Sequence, residues 1–124
     1  MAISQTVLPS AARTTTQTSP DIDTRGARSL IVTVDITAIG TGSITLSINA
    51  KDVASGKYVL LLASVALVAN ATTRYKVTPN EIAAAANVSA VDVLPQFIQI
   101  VVTANNANPV TYSVGLDLAD GVMN

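Results

Sequence analysis

The residue types that carry most enzyme chemistry are scarce in this chain of 124 residues. It contains no histidine and no cysteine. The usual general base, the commonest metal ligand, thiol nucleophiles, disulfides and thiolate zinc sites are therefore excluded. What remains are carboxylates, arginines, hydroxyls and three tyrosines, and their spacing decides what each group can do.

The carboxylates do not form a predicted site. Asp21 and Asp23 lie two residues apart, a spacing that begins many calcium loops, but such a loop needs further oxygen ligands and a glutamate at its twelfth position. Neither follows, so we interpret the pair as a solvated acidic turn, and Asp117 with Asp120 in the same way. We expect no metal, no cofactor, no small-molecule substrate and no enzymatic activity.

Three arginines are candidates for a protein interface. Arg25 and Arg28 flank Gly26-Ala27 at the entrance to the first strongly alternating segment, where they can pair with acidic residues of a partner. Arginines at a strand start are also common without any such role. Arg13, in the preceding segment, is the third candidate interface arginine.

Nucleic-acid and nucleotide binding are not predicted. The segment "GTGS" lacks the lysine and the glycine spacing of a phosphate loop. The formal net charge is -1, whereas nucleic acid requires a basic face. Tyr58, Tyr75 and Tyr112 are too few for a base-stacking platform, and we expect each of them in the core or at its edge.

The composition points to a surface that other chains cover in part. Charged residues make up 12% and hydrophobic residues 49%, against roughly 25% charged in a typical soluble domain. A domain of this length has much surface to cover. Either threonine, serine, asparagine and alanine carry that surface, or part of it is buried against neighbours.

The most apolar segment is "KYVLLLASVALVA", residues 57–69. A helix needs roughly 20 apolar residues to cross a bilayer, so this run is too short, and the first 20 residues lack a signal-peptide pattern. We expect a soluble chain with no membrane partner. Val59 and Leu61 alternate with residues that are also apolar. This predicts a strand that is covered on both sides, or one that the core covers on one side and a neighbouring chain on the other. These two residues join the candidate interface.

Period-2 alternation predicts strands along most of the chain. "LIVTVDITA" and "SITLSINAK", joined by "IGTG", predict a β-hairpin. "QFIQIVVTA" and "VTYSVGLDL", joined by "NNANP", predict a second pair, and "TTRYKVTP" a further strand. The fold class is therefore all-β: a single β-sandwich of about seven to eight short antiparallel strands, jelly-roll-like or immunoglobulin-like.

The predicted organisation has three parts. Residues 1–27, rich in threonine and serine, are expected to form an extended N-terminal arm that lies on a neighbour, although a loose terminus fits the same composition. Residues 28–119 form the sandwich and 120–124 a C-terminal tail. Within the sandwich, residues 80–95 are expected to contain one short helical segment, with Asn80 as its cap.

Three segments carry a resemblance to a known family. They are "KD-V-ASGKY" (Lys51 to Tyr58), the strand entry "LP-Q-F-I-Q-I-V" (Leu94 to Val101) and the closing "TYSVG" (Thr111 to Gly115). Their order and spacing, over roughly residues 28–118, resemble those of small β-sandwich structural proteins of tailed bacteriophages, including capsid decoration or cement proteins.

The resemblance implies a non-enzymatic virion protein, made in the bacterial host cytoplasm and bound to the capsid surface. Its implied partners are the major capsid protein and further copies of itself, as a homotrimer. Two alternatives remain: a neck, tail or fibre component of the virion, and a receptor- or carbohydrate-binding β-sandwich module.

Overall fold

The structure, a computed structural model, describes residues 2–80 and 83–119. This part of the chain contains ten β-strands and no helix, so it holds no helical segment long and apolar enough to cross a membrane. The strands are β1 (Ala2–Arg13), β2 (Gln17–Thr18), β3 (Ile22–Asp23), β4 (Ser29–Ala38), β5 (Ile44–Lys51), β6 (Tyr58–Ala63), β7 (Ala71–Thr78), β8 (Ser89–Val91), β9 (Phe97–Ala104) and β10 (Val110–Ala119).

The strands form two sheets. The first has the order β1-β10-β4-β7-β8, and the second has the order β2-β9-β5-β6 with β3 also paired to β9. β2 and β3 lie along β9 one after the other, since Gln17 pairs with Val102 and Ile22 with Ile98. They are two halves of one edge strand that is interrupted at Ser19-Pro20.

The strand pairing is nested. β1 pairs with β10, β2 and β3 pair with β9, β4 pairs with β7, and β5 pairs with β6, in every case antiparallel. An eight-stranded chain folded back on itself in this way and wound into two sheets has the strand order of a jelly roll. The predicted all-β sandwich is confirmed, and of the two named variants the strand order is that of the jelly roll. The strands are not all antiparallel as predicted, because β8 pairs with β7 in parallel.

The core lies between the two sheets and is built from alternate residues of the long strands. On β4, β5, β9 and β10 every second side chain is buried while its neighbours face outward, as expected for sheets with one covered face. The largest fully buried side chains come mainly from these strands: Tyr112, Leu30, Leu46, Ile48, Ile98, Ile100, Leu116 and Leu118.

The two predicted hairpins are wrong. β4 and β5 lie in different sheets, and so do β9 and β10, so the loops that join them cross from one sheet to the other. Alternation shows that each strand has a buried face, but it does not distinguish two strands side by side from two strands facing each other. The loop between β4 and β5 packs closely at Gly42. A Cβ on this residue would lie 2.5 Å from Val110 Cγ2 and 2.9 Å from the Ile39 carbonyl oxygen.

The expected N-terminal arm is not observed. β1 pairs with β10 over most of its length, from Ala2 opposite Ala119 to Arg13 opposite Val110. Ile3, Val7 and Leu8 pack against the core. These scattered apolar residues do not alternate strictly, because register shifts interrupt β1 on both sides of Leu8. The predicted tail, 120–124, lies outside the described residues.

The expected helical segment is also not observed in residues 83–95. Turn structure leads from Ala83 to β8, with a bond from the Ser89 N–H to the Ala85 carbonyl and a positive φ of 61° at Asn87. The four alanines at 83–86 are exposed, so a helix over them would have no apolar face to bury, and a short helix is not stable on propensity alone. Residues 81 and 82 lie outside the description.

Two buried serines complete the hydrogen bonding where edge strands are interrupted. Ser19, between β2 and β3, accepts a bond at Oγ from the Ile100 N–H at 2.9 Å. Ser64, after β6, accepts one from the Leu46 N–H at 2.9 Å and donates to the Val65 carbonyl at 2.7 Å. A buried backbone N–H without a partner is costly, so these hydroxyls stand in for missing strand partners.

Candidate interaction surface

The exposed large hydrophobic residues of the described chain are concentrated on one side of the sandwich. Nine are exposed, and all of them lie between residues 53 and 93, on β6, on β8 or in the loops next to these strands. They are Val53, Tyr58, Val59, Leu60, Val65, Val68, Val88, Val91 and Val93. We call this set the apolar edge.

β6 forms half of the apolar edge, and the β5–β6 hairpin holds it in place. In the connecting turn the Asp52 N–H donates to the Lys57 carbonyl at 2.8 Å and the Gly56 N–H donates to the Asp52 carbonyl at 2.7 Å. Gly56 has a φ of 73°, which glycine adopts without strain. The Ser55 hydroxyl donates to the Asp52 carboxylate at 2.7 Å, and this bond lowers the pKa of Asp52.

A β-bulge at Leu61 determines which side chains of β6 point outward. Ile48 pairs with Leu62 but the next residue, Asn49, pairs with Leu60, so Leu61 has no partner of its own. Directly paired residues share a face, which places Leu60 with Asn49 on the outer face while Leu62 remains in the core. A strict period of two would place Leu60 and Leu62 on one face, but such a pattern does not register a bulge.

A polar cluster on the outer face fixes the start of β6. The Lys51 ammonium lies 2.5 Å from the Asp21 carboxylate, and the Tyr58 hydroxyl donates to the same carboxylate. The hydrogen bonds from Lys51 and Tyr58 lower the pKa of Asp21, and the bond to Asp21 raises the pKa of Lys51 and that of Tyr58. Tyr58 is 40% exposed, so of the two predicted positions, in the core or at its edge, the core is excluded.

β8 and the segment after it form the other half of the apolar edge. The Asn87 side chain donates to the Ala63 carbonyl at 3.0 Å, which holds the end of β6 against the turn before β8. Val91 and Val93 follow, 43% and 74% exposed. Asp92 lies between them, and the Val93 N–H donates to its carboxylate at 2.7 Å.

The opposite edge of the sandwich is protected against association. β1 carries Pro9 and two register shifts, and β2 and β3 have two residues each, separated by Ser19-Pro20. Proline, bulges and short strands all disfavour edge-to-edge pairing. β6, by contrast, is a six-residue edge strand without proline and with exposed apolar side chains.

Arg13, the first predicted interface residue, makes its contacts within the chain. Its guanidinium donates to the Tyr112 carbonyl at 2.8 Å and to the Pro9 carbonyl. It also lies 4.8 Å from the centre of the Tyr112 ring. Burial raises the pKa of Tyr112. Arg13 thus fastens the end of β1 to β10, and a contact with a partner stays a prediction.

Arg25 and Arg28 are both exposed, on the loop between β3 and β4. Arg25 has a φ of 55°, and its N–H donates to the Asp23 carboxylate at 2.8 Å. The Arg28 N–H donates to the Ala119 carbonyl at 2.9 Å. Asp23 is therefore part of an ordered turn that presents both arginines to solvent. In the sequence this turn precedes the residues of the apolar edge.

Val59 and Leu61, the remaining predicted interface residues, differ in exposure. Val59 is 62% exposed, whereas Leu61 is partly buried and packs against the core. Leu60, Val91 and Val93 belong to the same edge but are not among the predicted interface residues. For Leu60 the sequence signal is a run of apolar residues in which alternation fails, whereas Val91 and Val93 alternate with the polar Asp92.

The described residues contain no cluster of three or more side chains of the types that bind metal ions. One hollow of about 440 Å³ lies where the β4–β5 and β9–β10 loops meet. Its walls carry hydroxyl, amide and aliphatic groups but no ionisable side chain: Ala12, Ala38, Ile39, Gly40, Thr41, Asn108, Pro109 and Thr111. The apolar edge is thus the feature with the strongest potential for recognition.

Comparison with known proteins supports the fold. No protein-family model matches the sequence, and no curated protein matches it. Among solved structures, the crystal structure of the SPBc2 prophage-derived protein YomS is similar, with a TM-score of 0.56 over 96% of this chain and 94% of that chain. The sequence identity is 13%, so the likeness concerns the fold.

Proposed function

We propose that this chain is a non-enzymatic structural protein of a bacteriophage particle, and most concretely a capsid decoration protein. In this role it binds the outer shell at junctions between capsomers, as a homotrimer, and stabilises the shell. The observation that carries the proposal is the apolar edge: nine exposed hydrophobic residues on one side of a sandwich. Exposed apolar area on this scale marks a protein contact.

The assignment to a phage rests on two further observations. The resemblance motifs occupy defined places in the fold, since "KD-V-ASGKY" forms the β5–β6 turn and "TYSVG" lies in β10. The fold is also shared with a prophage-derived protein. The jelly roll itself serves viral capsid proteins, lectins and cupins alike, so it is compatible with the proposal but does not select it.

Shell binding in this proposal uses the loop that carries Arg25 and Arg28. Both side chains are exposed, and guanidinium groups pair well with carboxylates of a partner. A single exposed pair contributes only about 0.2–1 kcal/mol. A trimer presents three such loops to the shell at once, and multivalent contact raises the overall affinity well above that of one loop.

Co-sedimentation with empty shells tests the proposal. Shells of the phage or prophage that encodes this chain are mixed with purified protein, and the bound fraction and the temperature of shell opening are measured. We expect binding, a higher opening temperature, and weaker binding for R25E/R28E. The matched control is Arg74→Glu, an exposed arginine on the outer face of β7. Absence of binding to shells contradicts the proposal, and binding to tails instead supports the neck or tail alternative.

A further inference from the structure

We infer that the apolar edge is the surface through which copies of this chain associate, with the β5–β6 hairpin of one copy packed against the β8 edge of the next. The inference rests on the proposed oligomeric subunit and names its contact surface. Shell binding and self-association are separate measurements, so failure of one is distinguishable from failure of the other.

The area of the apolar edge fits a contact between two proteins. Exposure of its nine residues ranges from 40% at Tyr58 to 74% at Val93. A standard stable interface buries about 800 Å² on each partner. Nine large apolar side chains that are each at least 40% exposed supply a substantial part of such an area. A second copy with the same edge supplies matching apolar area.

The charges at the two halves of the edge are complementary. Lys57 lies next to Tyr58 on the hairpin, and Asp92 lies between Val91 and Val93 beyond β8. Neither side chain forms an ion pair with any described residue, although the Asp92 carboxylate accepts the Val93 N–H. Packing the hairpin of one copy against the β8 edge of another can bring Lys57 to Asp92. A nucleic acid or an anionic membrane would instead favour a cluster of basic residues.

The shape of β6 favours contact through side chains over the addition of a strand. The bulge at Leu61 interrupts the regular ladder, and bulges twist an edge away from continuous pairing. At the start of β6, Val59 pairs with Ala50 and Leu60 with Asn49, so apolar groups project from both faces. A hairpin that is apolar on both faces can insert against a neighbour. When each copy places its hairpin against the β8 edge of the next, the contact closes into a ring if the rotation between copies permits.

Light scattering behind a sizing column tests the inference on the full chain at about 10–100 µM. We expect the wild type to be an oligomer. Leu60→Asp and Val93→Asp, which place a charge on the hairpin and on the β8 edge respectively, are each expected to raise the dissociation constant roughly tenfold or more. Ser10→Asp, at an exposed position of β1 on the opposite edge, is the matched control and is expected to leave the mass unchanged.

A charge exchange tests the orientation. Lys57→Asp and Asp92→Lys are each expected to weaken the oligomer, and the double variant K57D/D92K is expected to restore it. Circular dichroism confirms that each variant is folded, and the charge variants lie at exposed positions that need not affect folding. A wild type with the mass of a single chain at 100 µM overturns the inference. An oligomer that Leu60→Asp and Val93→Asp both leave intact overturns it as well.

Discussion

Ser64→Ala is expected to destabilise the protein far more than the loss of an ordinary strand hydroxyl. Ser64 is 5% exposed and holds the end of β6 against β5. Its Oγ accepts the Leu46 N–H at 2.9 Å and donates to the Val65 carbonyl at 2.7 Å. Alanine removes both bonds and leaves the buried Leu46 N–H without a partner.

The expected magnitude follows from that unpaired group. A buried donor left without an acceptor costs about 1–3 kcal/mol. For a chain of 124 residues, an unfolding entropy of about 2.1 cal/mol/K per residue converts this into a fall of the melting temperature by roughly 4–12 °C. The surrounding ladder remains, since the Ser64 N–H still donates to the Leu46 carbonyl.

Urea unfolding followed by circular dichroism measures the change, at a protein concentration held constant for all variants. Ser113→Ala is the matched control, because Ser113 is half-buried on the outer face of β10 and its hydroxyl bonds to none of the described residues. We expect the control to change the unfolding free energy by less than about 0.5 kcal/mol. Equal effects of the two substitutions would refute the role of Ser64 as a substitute for a strand partner.

Two glycines and one carboxylate give the remaining predictions. Gly42→Ala is expected to lower the free energy of unfolding by about 1–3 kcal/mol, because its Cβ would lie 2.5 Å from Val110 Cγ2. Gly115→Ala, whose Cβ meets open space on β10, is expected to raise the free energy of unfolding by up to about 1 kcal/mol. A Gly115→Ala variant less stable in urea than Gly42→Ala would contradict the packing. The pKa of Asp21 is lowered in the folded state from its ordinary value of 3.8 by Lys51 and Tyr58, so its contribution to stability is present at neutral pH and is lost as the pH falls below about that value. Asp21→Asn is therefore expected to flatten the acid side of the stability profile between pH 6 and 2, and a variant with the wild-type profile would exclude this cluster as its source.

Alternation predicts the faces of the strands but not their partners. On β10, Val110, Tyr112, Val114, Leu116 and Leu118 are all buried as the pattern predicts. The same pattern on β4 and β5 predicts a hairpin, yet the two strands face each other across the core. Which sheet a strand joins depends on the path of the connecting loop and on contacts far apart in sequence, such as Gly42 with Val110.

The N-terminal segment shows a different reason for failure. β1 has two register shifts and carries Pro9, so its apolar residues do not follow a period of two. Its position is set by β10, at the other end of the described chain, through pairs such as Ile3 with Leu118. A local pattern contains no signal for such pairing, and a bulged edge strand therefore has the sequence appearance of an arm.

The predicted interface residues and the apolar edge overlap only in part, and the interface role itself stays a prediction. Two-sided apolar character in residues 57–69 indicates a surface that needs covering, and Val59 is indeed 62% exposed. The bulge at Leu61 interrupts the alternation of β6. As a result the side chain of Leu60 is exposed, while that of Leu61 packs against the core. The β8 half of the edge lies in the segment predicted to contain a helix, so the sequence does not identify Val91 and Val93 as residues of a strand edge.

Amide hydrogen exchange at low and high protein concentration tests the central claim most directly, because it locates the contact without any substitution. If the apolar edge joins copies of the chain, exchange in Tyr58–Leu62 and in residues 91–93 slows as the concentration rises from about 1 to 100 µM. Exchange in residues 3–8 of β1 then stays the same. Protection that is independent of concentration, or that rises on β1 instead, would contradict the account.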